Sequence, residues 1–177
     1  MTPSPGFRKA MLAVHLTASV GWIGGVVAYL ALGLATLGTR DELTIRGAWI
    51  AMEIIGWYAL VPLAMTSLAT GVILAVTTRW GLFRHYWVVI SLILTILAVA
   101  VLLWHLPAVT TTAAIARTAS PPRLAALGGD LAHPAIGMVI LLIVLVLNIY
   151  KPRGLTRYGQ RRERRNPTSA PEARENR

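Results

Sequence analysis

Four long apolar blocks alternate with short polar stretches along the chain. Each is long enough to cross the hydrocarbon layer of a bilayer, which takes about 20 residues of helix. The first runs from about residue 7 to 37. A cleaved signal peptide has an apolar region of only roughly 7–15 residues, so this block reads as a retained helix. The polar stretch GTRDELTIRG leads into the second block, about 48–77. Pro62 lies inside it and is expected to kink it, which neighbouring helices accommodate. TRWGLFRHYW reads as a tight basic turn, with Trp80, Tyr86 and Trp87 suited to the membrane interface. The third block, about 86–106, is closed by Pro107. The weakly apolar stretch 108–129, broken by Pro121 and Pro122, reads as a surface loop, with at most a short helix on the membrane. The fourth block covers about 130–150, with Asp130 as N-cap and Pro134 in the first turn. The pattern predicts an all-α protein, a four-transmembrane-helix bundle over residues 1–159, followed by a disordered basic tail over 160–177.

Composition agrees with the pattern: of 177 residues, 55% are hydrophobic and only 14% charged. There is no cysteine, which removes disulfides, thiolate ligands, thiol nucleophiles and covalent haem attachment. Charge adds orientation. The N-terminus, the middle turn and the tail hold 13 Lys/Arg, and the other two connections hold 4. By the positive-inside rule both termini are expected in the cytoplasm. Fifteen of the 17 basic residues are Arg, which suggests a GC-rich bacterial genome and hence a bacterial inner membrane. From Lys151 onward nine Lys/Arg face three Glu, a tail suited to anionic lipid head groups. RRERR carries no interleaved aromatics, so nucleic acid is not an expected partner.

Few polar residues lie within the blocks, and these are the candidates for chemistry. On the first, His15, Ser19, Trp22, Val26, Tyr29 and Gly33 share one stripe. His15 lies roughly 9 Å inside the edge, where a polar group turns inward. His15 and Trp22 are the candidate cofactor-binding pair, and Ser67, Thr70 and Ser91 lie at a similar depth. Gly21 and Gly25, on another face, form a GxxxG pair suited to close packing or to a homo-oligomer. On the second block, Glu53 either reaches toward Arg46 or is held protonated by burial. His85 and His105 are about 30 Å apart along the third and cannot share a site. The outer end therefore gathers Glu53, His105, His133 and Asp130. Two imidazoles and a carboxylate suit a metal ion, and His105, His133 and Glu53 are the candidate ligands. Two facing imidazoles can instead hold a b-type haem. The plainer alternative is that both are separate interfacial residues.

The runs HLTASVGWIGG, AMEIIGWYALVPLAMTSLATGV, WGLFRHYWVVIS and YKPRGLTRYGQR resemble a mostly actinobacterial family of small four-helix membrane proteins with no settled activity. The pattern of His15, Trp22 and Gly24 is also similar to the first helix of CopD-type copper-resistance domains and of HemJ-type protoporphyrinogen oxidases. The second similarity implies haem at His15, although those groups carry a lysine near the position of Ser91. The expectation is a non-catalytic membrane protein with a structural or partner-binding role and no catalytic residue. The alternatives are a haem- or copper-binding module, using His15 or His105 with His133, and a HemJ-type oxidase.

Overall fold

Ser4 opens the first helix. Its hydroxyl accepts the Phe7 N–H at 3.3 Å, and Pro5 has no N–H to leave unpaired. In the computed structural model, which describes residues 4–77, 81–152 and 154–165, this helix, α1, runs Pro5–Gly38. Asp41 caps the next by accepting the Thr44 N–H at 2.9 Å and its hydroxyl at 2.6 Å. Helix α2, Glu42–Ile55, thus begins at 42 and not 48, because DELT is a helix start and not a loop.

Pro62 cannot donate to the carbonyl of Tyr58. The chain widens just before it into a π turn, Gly56–Leu60, where the Val61 N–H reaches back five residues to the Gly56 carbonyl. Helix α3, Val61–Thr77, carries the span on.

Helix α4, Tyr86–Thr118, runs straight through Pro107. The expected stop at 106 and the expected loop from 108 are overturned by side-chain burial. Leu106, Val109, Ala113 and Ala116 are almost wholly buried, and α4 packs along α2. Four such contacts outweigh the roughly 3 kcal/mol that an internal proline costs. The Arg46 guanidinium then closes the helix, donating to the carbonyls of Ala116 and, at 3.1 Å, Ala119. A short helix, α5, Pro121–Ala125, and the last span, α6, Ala132–Tyr150, follow.

Residues 160–165, expected to be disordered, are helical. Helix α7 runs Arg157–Arg165, and the remaining tail, 166–177, lies outside the described residues. Thr156 is the reason. Its hydroxyl accepts the Gly159 N–H at 3.1 Å, and its own N–H donates to the Arg84 carbonyl at 3.0 Å. The tail is thereby stitched to the turn before α4.

The four helices Pro5–Gly38, Glu42–Thr77, Tyr86–Thr118 and Ala132–Tyr150 are long and apolar enough to cross a membrane. They close as a ring in which α1 packs on α3, α3 on α4, α4 on α6 and α6 on α1. Gly21 and Gly25 seat Leu63 and Leu60 of the same chain, so their face is used in internal packing. Tyr86 and Tyr150 are exposed at one end, and Tyr58 and Trp104 at the other. On α4 the two levels are about 27 Å apart, close to the hydrocarbon thickness of about 30 Å. Trp87, expected at the interface, is buried, and Trp80 is outside the described residues. The ends of α1 and α4, the start of α2 and α5 stand beyond the Trp104 level as a distal cap. The cap holds the largest fully buried side chains among the described residues, Met52, Leu106, Leu124 and Val109.

Candidate metal centre

At the Trp104 level three helices and the segment leading into the last of them bring four polar side chains together. Asp130 is at the centre, its side chain only 9% exposed. His105 Nε2 lies 2.6 Å from its Oδ2, the Tyr29 hydroxyl donates to the same oxygen at 3.0 Å, and His133 Nδ1 is 3.6 Å from Oδ1. The two imidazoles stack, with centroids 3.9 Å apart and planes 19° from parallel. Trp104 flanks His133 at 6.4 Å between centroids.

The backbone delivers Asp130 by close approach. A Cβ on Gly33 would lie 2.8 Å from the Asp130 carbonyl oxygen, and one on Gly129 would lie 2.5 Å from the Gly33 carbonyl oxygen. Only two glycines let the 129–131 segment lie this close against α1. Gly128, at φ +62°, turns the chain into that segment. Asp130 was expected to cap α6. Leu131 holds the cap position and α6 has no side-chain cap, because the Asp130 carboxylate faces Tyr29 and His105 instead.

One donor atom each from His105, Asp130 and His133 lies within 4.8 Å of the others. A tetrahedral ion with ligand bonds near 2.0–2.1 Å wants donors about 3.3 Å apart, so small side-chain shifts suffice. His133 is the most open of the three, with 42% of its side chain exposed.

Glu53 lies apart from this group. Its carboxylate pairs with Arg117, and the expected reach toward Arg46 is not made, because Arg46 is engaged in capping α4. His15 and Trp22 occupy different surroundings. His15 Nδ1 is 3.0 Å from both the Ser67 carbonyl and the Thr70 hydroxyl. The Thr70 hydroxyl gives its proton to the Thr66 carbonyl at 2.6 Å, so Nδ1 carries the hydrogen and Nε2 keeps its lone pair. Gly71 makes room for the ring, since a Cβ there would sit 3.1 Å from Cε1. Ser91, at a similar depth, instead accepts from Asn148 at 3.3 Å, and the Ser67 hydroxyl pairs with Ser19 at 2.8 Å. Trp22, two turns along, lines a cavity beside His105 and His133.

A haem does not fit between His105 and His133. Rings stacked at 3.9 Å leave no plane for a porphyrin, and the adjoining cavity of about 60 Å³ is far below the roughly 300 Å³ of the smallest ordinary ligand pockets. The full role of Tyr29 and Asp130 was not legible from periodicity. The one signal was that Tyr29 shares its stripe with His15 and that Asp130 opens an otherwise uncharged block.

No family model, no curated protein and no solved structure matches the chain.

Proposed function

We propose that the chain is a multi-pass membrane protein that binds one transition-metal ion through His105, His133 and Asp130, with copper as the preferred ion. The observation that carries this is the Asp130 carboxylate, buried and held against two imidazoles while the helix it precedes goes without a side-chain cap. Imidazole donors suit copper, and Cu²⁺ stands highest in the affinity order of the divalent first-row metals. Tyr29 orients the carboxylate from outside the donor set. The protein sits in a bacterial inner membrane with both termini cytoplasmic, and its basic tail lies on anionic lipid; the asymmetry of 13 basic residues against 4 supports this. No reaction is assigned to it.

The test is equilibrium dialysis of the purified chain in detergent against Cu²⁺. One ion per chain is expected, with His105→Ala and His133→Ala each lowering affinity at least tenfold. A wild-type chain that takes up no copper, or a double variant that binds as wild type does, refutes the reading.

A second reading concerns His15. The hydrogen on Nδ1 leaves Nε2 with a free lone pair, the arrangement a single axial haem ligand needs. Haem titration of the purified chain decides it. A Soret band lost in His15→Ala supports the ligand role. A protein that stays colourless leaves His15 as a hydrogen-bonded core residue.

A further inference from the structure

The metal centre has an apolar side. A cavity of about 60 Å³ is lined by His105, His133 and Tyr29 together with the apolar Trp22, Val26, Leu60, Ala98 and Leu141. Three protein donors leave at least one coordination position open, as in sites that take an exogenous ligand. We propose that this cavity admits a small neutral molecule of two or three heavy atoms, a diatomic gas being the simplest, to the open position of the metal. The inference rests on the metal-binding reading above.

Size sets the upper limit. A closed cavity of about 150 Å³ holds benzene, so about 60 Å³ gives room for a few atoms and not for an enclosed ring. Polarity sets the class. Its apolar walls offer a hydrated anion nothing in exchange for the water it would lose. Tyr29 is no substitute for that water, because its hydroxyl is already given to Asp130. A neutral molecule of this size is soluble in hydrocarbon, so the bilayer itself would supply it. Leu60, which closes one wall, stands in the π turn Gly56–Leu60, so the turn forced by Pro62 shapes the pocket.

Carbon monoxide on Cu(I) is the probe, because it binds cuprous ions and reports through its own infrared stretch. The full chain in detergent is loaded anaerobically with one Cu(I) and exposed to CO. The expected result is a single saturable C–O band at one CO per copper. Ala98→Leu on α4 and Val26→Phe on α1 each fill the cavity from a different helix. Each is expected to weaken CO binding at least tenfold while copper stoichiometry stays at one. Azide added to the Cu(II) form is expected to bind far more weakly than CO binds to Cu(I). Copper-loaded wild type with no C–O band overturns the cavity inference and leaves the metal reading standing. An unchanged band in both variants also overturns it. Failure to take up copper at all removes both.

Discussion

Replacing Gly33 with alanine tests how the metal centre is assembled. The added methyl would lie 2.8 Å from the Asp130 carbonyl oxygen and 2.9 Å from Leu131 Cδ2, where ordinary contact begins at 3.4 Å. The nearer neighbour is backbone and cannot rotate away, so the 129–131 segment must retreat by about 0.6 Å. Overpacking of this kind costs about 1–3 kcal/mol. Alanine also returns up to about 1 kcal/mol of helix propensity, which would blur the result if Gly33→Ala stood alone. Gly24→Ala on the same helix is the control, because a Cβ there meets nothing within 4 Å. The two variants share the propensity term, so Gly33→Ala is expected to be less stable than Gly24→Ala by about 1–3 kcal/mol. Chemical unfolding in mixed micelles, followed by circular dichroism, measures the difference. Copper affinity supplies a second readout, since the retreat from α1 carries Asp130 away from Tyr29, which orients its carboxylate. Equal stability and equal copper affinity in the two variants would refute the close-approach argument.

His15→Ala removes the donor to Ser67 and Thr70 and is expected to cost about 1–3 kcal/mol in the same unfolding assay, with copper uptake unchanged. Arg46→Ala leaves the last carbonyls of α4 without their cap and is expected to cost about 2 kcal/mol. The loss is expected to appear as faster amide exchange over the final turn of α4, and exchange unchanged there would count against the cap. Hydrogen bonds from Thr44 hold the Asp41 carboxyl below the usual carboxylate range. Its folded value lies below its unfolded one, so the cap is intact above about pH 4 and is lost as pH falls through the folded value. Amide exchange at Thr44 should accelerate only at that acid end, and Asp41→Asn should flatten the profile.

The four spans were legible because lipid demands about 20 apolar residues per crossing, and nothing else in the sequence meets that demand. What lay beyond the bilayer was harder to read. Residues 107–118 look like a loop, since Pro107 and a run of threonines precede no strongly apolar stretch. They are helical because α2 offers them a partner face and Arg46 caps their end. Such long-range contacts leave no local periodicity. The same holds at the metal centre. His105 and His133 were identifiable as polar groups at one level, but which carboxylate joins them depends on the approach of Gly129 to Gly33. Glu53 was the acid well inside a span and drew attention for that reason. The cap lifts it beyond the Trp104 level, where Arg117 takes it. Residues 160–165 likewise read as part of a disordered basic tail, whereas Thr156 gives α7 a cap and ties it to the turn before α4.

The central claim is that His105, His133 and Asp130 hold one metal ion, and electron paramagnetic resonance of the Cu(II)-loaded chain tests it most directly. Two histidine nitrogens are expected to couple to the copper electron. His133→Ala should reduce the pattern to one nitrogen, and Asp130→Asn should shift the copper hyperfine splitting while keeping both. A spectrum without nitrogen coupling, or one that His105→Ala and His133→Ala both leave unchanged, would contradict it.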